Sequence, residues 1–161
     1  MISIPITLPL VVLSLCKPPE INPLEQIDSK YRQVRQLTGP YARLILHAAH
    51  RAHVPARLVA AVAYVENGGN FHGSASRVSP AGAIGPMQLM PVTADVLHVD
   101  PWNPRQNIEG GARFLAMLLH EFHNTRLALM AYNAGPTWIA QGGRPEQARI
   151  YAREVLRYAH T

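Results

Sequence analysis

Residues 55–69 read Pro-Ala-Arg-Leu-Val-Ala-Ala-Val-Ala-Tyr-Val-Glu-Asn-Gly-Gly. A proline in the first turn, a run of good helix formers and a closing Gly68-Gly69 pair predict one helix that ends near Asn67. Leu58, Val62 and Glu66 follow one another at four-residue spacing, so all three share the apolar face of that helix. A carboxyl thus occupies a position where a leucine is expected. It also stands in the last turn, where the partial negative charge of the helix end and the loss of water both disfavour ionisation. Both effects raise its pKa. A general acid working near neutral pH needs this, because it must hold its proton until a leaving oxygen takes it. The plain alternative is a Glu66 that frays into solvent beside Asn67 and Gly68.

Working outward, the chain reads as helix after helix, without the sustained two-residue alternation that would mark strands. Upstream, a weak helix is predicted over Leu24–Leu37 and a firmer one over Tyr41–His53, with Leu44, Ile45, Ala48 and Ala49 as its apolar stripe. Downstream, Gly69 to Pro86 is rich in glycine, proline and serine and lacks periodicity, so a long structured loop is expected. Loops of that length in compact domains are commonly functional. Further helices are predicted over Met87–Leu97, Gln106–Phe122, Arg126–Asn133 and Pro145–Tyr158, with a turn from Asp100 to Pro104. The fold class is therefore all-α. At 161 residues, 48% hydrophobic and 16% charged, the chain suits a single core.

The first 16 residues divide off as an apolar segment. Ile2–Leu15 is too short to span a membrane and resembles the apolar part of a secretory signal, which points to an exported, periplasmic protein. No Lys or Arg precedes it, and Leu13 to Cys16 departs from lipoprotein signals; the alternative is a hydrophobic segment retained in the fold. Residues 17–40 form an extension, read either as a packing helix or as a partner contact, and residues 41–161 the main domain. The single Cys16 allows no intrachain disulfide. The net charge of +5 favours acidic partners, but without a Lys/Arg run of five nucleic acid is not expected as one. Anionic cell-wall polymer would be attracted by the same charge.

Four stretches resemble, in order and spacing, motifs of the lytic transglycosylase family. They are Val78 to Gly85, Met87-Gln88-Leu89-Met90-Pro91, Asn107-Ile108-Glu109-Gly110-Gly111-Ala112, and Ala131-Tyr132-Asn133-Ala134-Gly135-Pro136, all following Glu66. The resemblance runs from about His53 to Tyr158. It implies a single lysozyme-like helical domain of the goose type, whose long loop lines an active-site groove. The implied partner is the glycan strand of peptidoglycan, with Glu66 as the one catalytic acid and base, no cofactor and no metal. Tyr132 would hydrogen-bond and orient Glu66, while Gln88 and Asn133 would hold acetamido and hydroxyl groups. Ser79 and Met87 would line the groove, against turn formation and core packing as plain alternatives. Tyr151 matches a tyrosine of the family's last helix near the acid, against plain packing. Small single-domain members often open the wall for secretion or conjugation machines, so such a machine is a candidate partner for a chain expected to act as a monomer.

The sequence departs from the family pattern at Asn67, where a serine is usual, at Pro86, where an aliphatic residue is usual, and at Gln147 and Ala148, where Glu-Thr is common. Asn67 keeps a donor and an acceptor, whereas Pro86 removes a backbone donor and stiffens the loop.

Three other readings carry less weight. His47, His50 and His53, and the pair His120 and His123, have spacings that suit a metal, yet His120 to His123 falls one residue short of the zinc-protease pattern. Solvated or packed histidines are the simpler account. A hydrolytic muramidase of the goose type would need a second carboxylate to activate water, and Asp95, Asp100, Glu109 and Glu121 all lie outside the Gly73 to Met90 loop. A non-catalytic wall-binding protein of the same fold is disfavoured by an intact set of Glu66, Gln88 and Tyr132.

Overall fold

The computed structural model describes residues 22–160, so the apolar segment 1–16 and the first part of the extension lie outside the described residues. Among the described residues there are eight α-helices: α1 (Pro23–Thr38), α2 (Ala42–Ala52), α3 (Ala56–Glu66), α4 (Pro91–Val96), α5 (Pro104–Phe122), α6 (Thr125–Ala134), α7 (Pro136–Ala140) and α8 (Glu146–His160). Among the described residues there is no β-strand, only two isolated bridges, Val78 with Ile84 and Ile84 with Leu89. No helix among them is long and apolar enough to cross a membrane.

The chain's own caps fix several helix starts. Asn22 accepts from the Leu24 amide at 2.9 Å, Asn103 from Arg105 and Gln106 at 3.0 and 3.2 Å, and Asn124 from Leu127 at 3.0 Å. Each satisfies amides that the helix itself leaves open. Pro23, Pro91, Pro104 and Pro136 open their helices, where a missing N–H costs nothing.

α3 is the central helix. Ala56 and every residue from Leu58 to Ala63 are buried, so it is enclosed nearly all round rather than along a single stripe. Its alanines allow α1, α2, α5 and α8 to close on it. At its start, the Arg57 guanidinium donates to the Tyr158 and Ala159 carbonyls at 3.0 and 3.2 Å, capping the open end of α8. α8 packs on α3 and α6, and α5 on α2 and α6. α1 joins the same core through Val34 and Thr38 while Leu24 and Ile27 stay exposed.

Two expectations are corrected. The helix predicted over Met87–Leu97 begins only at Pro91, because Gln88 adopts φ +49° and Leu89 pairs with Ile84 across a tight turn. α7 and the start of α5 at Pro104 were not foreseen: a five-residue helix shows too little periodicity to be read. The loop after α3 is otherwise built as expected, with one short 3₁₀ turn at Ser74–Ser76.

Candidate active site

The last turn of α3 delivers Glu66 to a groove of about 490 Å³ walled by the long loop, the end of α6, α7 and the start of α8. Ser79, Gln88, Tyr132, Asn133 and Trp138 line it with Glu66, the only ionisable carboxylate among the described residues that line it. Burial pushes the Glu66 carboxyl up from 4.5 to about 7, against the opposing pull of a hydrogen bond from Tyr151. The carboxyl is partly buried, not frayed into solvent.

The hydrogen bond to Glu66 comes from Tyr151, whose phenol donates to Oε1 at 2.7 Å. Tyr132, expected in that role, instead donates to the Met87 carbonyl at 2.8 Å. The reason is direction: Tyr132 leaves α6 toward the loop and packs against Phe114 with the rings tilted and their centroids 5.3 Å apart, so its hydroxyl meets loop backbone first. Both phenols are buried close to the Glu66 charge, and burial followed by that charge raises both well above the usual tyrosine pKa. They remain neutral donors at any pH at which the protein works. The departures at Gln147 and Ala148 do not disturb this: both line the groove, and Tyr151, one turn on, still reaches the acid.

Met87 is also corrected. Its side chain is fully buried in the core and does not line the groove. It lies over Gly111, where an added Cβ would come within 2.6 Å of the Met87 Cβ, so the Gly110-Gly111 pair is the flat surface on which the loop rests. Ser79 combines both readings: its Oγ accepts from the Ala83 amide at 3.0 Å, closing a turn, and it lines the groove. Gln88 donates through Nε2 to the Gly85 carbonyl at 2.8 Å, and Asn133 is exposed on the last turn of α6.

The loop is held by two buried amides whose importance the sequence conceals. Asn107 on α5 accepts from the Met87 amide at 2.8 Å and donates to the carbonyls of Ile84 at 2.8 Å and Pro101 at 3.0 Å. Gly85, at φ +78°, leaves the space that the Asn107 amide fills. Asn67 donates to the carbonyls of Ala63 and Pro86 at 2.7 and 2.6 Å, and accepts from Arg77 at 3.0 Å. The departure at Asn67 thus ties the residue next to the acid to the departure at Pro86. Arg77 continues the brace by donating to the carbonyls of Asn67, Asn70 and His72.

Trp138 was not singled out from the sequence. It is 53% exposed within the groove wall, and its indole packs over Gly143, where no Cβ could be accommodated. Its position two residues after Gly135-Pro136, and its rarity as one of two tryptophans, were the available signals. Asp95, Asp100, Glu109 and Glu121 lie away from the groove lining. Of the histidines, His47 faces Glu109 at 3.8 Å, and His120 and His123 lie ring to ring at 5.8 Å. Among the described residues, no three His, Cys, Asp or Glu side chains gather as a metal site.

A partly buried acid with a phenolic partner, in a groove of amides, a hydroxyl and an exposed indole, is fitted to protonate an oxygen of a neutral polymer. Comparison with known proteins agrees with this geometry. The family profile described as "Transglycosylase SLT domain" matches residues 43–153. The chain is 40% identical over 111 residues to a transglycosylase of Enterobacteria phage PRD1, covering 68% of this chain and 39% of that protein. It is 38% identical over 107 residues to a membrane-bound lytic murein transglycosylase F of Nitrosospira multiformis, covering 62% of this chain and 20% of the relative. The fold is similar to that of the 70 kDa soluble lytic transglycosylase of Escherichia coli, with a TM-score of 0.64 and 25% identity over 79% of this chain and 24% of that one. The chain thus spans less than half the length of these relatives. With the profile match spanning most of its length, the chain belongs to the transglycosylase SLT domain family.

Proposed function

We propose that this protein is a peptidoglycan lytic transglycosylase that cleaves the bond between N-acetylmuramic acid and N-acetylglucosamine and leaves 1,6-anhydro ends. The observation that carries the reading is Glu66 as the only carboxylate lining the groove among the described residues, held protonated toward neutral pH by its burial. Glu66 protonates the glycosidic oxygen as the bond to the anomeric carbon breaks. Among the described residues no second carboxylate lines the groove as nucleophile or as base for water, the two roles that ordinary glycosidases assign. The acetamido oxygen of the substrate stabilises the anomeric carbon instead. The Glu66 carboxylate then takes the proton of the muramic acid 6-hydroxyl, whose oxygen closes onto that carbon. The acid is regenerated and no water is consumed.

Tyr151 orients Glu66 and stabilises its anionic form between the two proton transfers. Gln88, Asn133 and Ser79 bind acetamido and hydroxyl groups. Trp138 offers its face to a sugar ring. The substrate places the protein outside the cytoplasmic membrane, which agrees with the "membrane-bound" relatives. Export through the N-terminal segment, work as a monomer and local wall opening for a secretion or conjugation machine belong to the same proposal. Digestion of purified peptidoglycan by wild type and Glu66→Gln, with mass spectrometry of the fragments, tests the reaction. Anhydro-muropeptides, lighter by one water than hydrolysed ones and absent with the variant, are expected; reducing ends or no cleavage by folded wild type would overturn it.

A further inference from the structure

For a proton to pass from Glu66 to a sugar held by Gln88, the two residues must keep a fixed spacing, yet they stand on separate pieces of chain. Glu66 is the last residue of α3, whereas Gln88 closes a turn that begins at Gly85, with Pro86 in its second position and the Gln88 amide donating to the Gly85 carbonyl at 3.0 Å. Both line the groove. Asn107 and Tyr132 tie this turn to α5 and α6. Its ties to the end of α3 are two others. The Asn67 amide nitrogen donates to the Pro86 carbonyl at 2.6 Å, and the Arg77 carbonyl accepts from the Gly85 amide at 2.9 Å. The Arg77 guanidinium reaches back to the exit of α3. It donates to Oδ1 and the carbonyl oxygen of Asn67 at 3.0 and 3.1 Å, and to the carbonyls of Asn70 and His72 at 3.0 and 3.1 Å.

Asn67 is 5% exposed, and its side chain is used at both ends. Its nitrogen serves the Ala63 carbonyl at 2.7 Å, which closes the helix end, and the Pro86 carbonyl, while its oxygen takes Arg77. A serine, usual at this place in the family pattern, has a single donor and could serve only one of the two carbonyls. Capping requires the bond to Ala63 alone. The bond to Pro86 does something else: it fixes the end of the acid-bearing helix against the turn that carries Gln88. Catalysis responds steeply to such geometry, since a misplacement of about 1 Å can lower a rate about a hundredfold. Resting on the reading of the groove as a glycan-cleaving site, we propose that Asn67, held by Arg77, is a positioning residue of the reaction that sets the spacing between the Glu66 carboxyl and the sugar bound by Gln88. Neither Asn67 nor Arg77 lines the groove itself. Without them Gln88 still binds the sugar, but the scissile oxygen sits off the acid, so the transition state suffers more than the bound substrate.

The test compares wild type, Asn67→Ala, Asn67→Ser and Arg77→Lys in thermal unfolding and in cleavage of purified glycan strands, with kinetics taken at a temperature at which each variant is folded. Serine can bond the carbonyl four residues back, so Asn67→Ser keeps the cap on Ala63 and should unfold closer to wild type than Asn67→Ala. Both should nevertheless lose about tenfold or more in kcat, with KM within about twofold of wild type. Arg77→Lys, whose compact ammonium cannot span the oxygens of Asn67, Asn70 and His72, should show the same split at smaller size. A merely structural Asn67 would give a kcat that follows stability, with Asn67→Ser near wild type and Asn67→Ala alone impaired. That result, or a rise in KM with kcat kept, would overturn the proposal, and wild-type kcat in Arg77→Lys would overturn the part given to Arg77. A folded wild type that releases no anhydro ends would overturn the proposed function and this inference with it. Anhydro ends from wild type, with kcat kept in Asn67→Ser, would overturn this inference alone.

Discussion

Tyr151→Phe is predicted to move the titration of Glu66 to higher pH while leaving the groove intact. The phenol donates to the Glu66 carboxylate at 2.7 Å, so it stabilises the charged form and holds the pKa below the value that burial alone would set. A hydrogen bond to a charged acceptor contributes about 1.5–3 kcal/mol, and about 1.4 kcal/mol corresponds to one pH unit. Removing it should therefore carry Glu66 from about 7 to roughly 8–9. The assay is an NMR titration of the Glu66 side-chain carboxyl carbon, with Glu66→Gln to assign the signal. The alkaline limb of kcat/KM on glycan strands should move in the same direction, since the acid then keeps its proton to higher pH. Tyr132→Phe is the control: its hydroxyl serves the Met87 carbonyl, so its loss should cost about 1–3 kcal/mol of stability and move Glu66 less. A Glu66 midpoint that stays put or falls in Tyr151→Phe would refute the assignment, as would a larger displacement from Tyr132→Phe.

Further outcomes follow from the same contacts. A carboxyl raised from 4.5 to about 7 on folding favours the folded state fully below 4.5, and this contribution is lost as pH rises to about 7. Glu66→Gln should thus match wild type in urea unfolding at pH 4 and exceed it at pH 8, by at most about 3 kcal/mol. Asn107→Ala strips three backbone groups of their buried partner, so it should cost roughly 2–4 kcal/mol in thermal unfolding and lower turnover through a loosened loop. Gly111→Ala should destabilise by about 1–3 kcal/mol, because its Cβ would meet Met87 at 2.6 Å. Trp138→Ala should raise KM on long strands severalfold with little change in kcat, if the exposed indole contributes binding shared by ground and transition states.

Much of this architecture was legible because local chemistry and global fold agree. Asn103 and Asn124 cap helices whose apolar spacing was already readable, and Gly68-Gly69 ended α3 where expected. Glu66 stood out because a carboxyl on an apolar face has no structural purpose. The misassigned partner had a different origin. Tyr132 and Tyr151 come from different helices, and which phenol reaches the acid depends on how α6 and α8 cross, which no spacing along one helix records. Met87 was placed in the groove lining by the resemblance, with core packing as its alternative, and the core holds it. A positive φ at Gln88 turns Met87 inward and Gln88 to the groove, and such a backbone state is rare enough outside glycine to go unread. Asn67 stood out only as a departure from the pattern and Asn107 only as the first residue of a matching stretch, and neither signal tells that burial makes them the braces of the loop.

In the proposed reaction the substrate's own hydroxyl, not water, attacks the anomeric carbon after Glu66 gives up its proton. Digestion of peptidoglycan by wild type in heavy-oxygen water, quenched early and followed by mass spectrometry of the new glycan ends, tests it most directly. Anhydro ends that carry no solvent oxygen are expected. New ends bearing the heavy oxygen would show that water is the nucleophile and would contradict it.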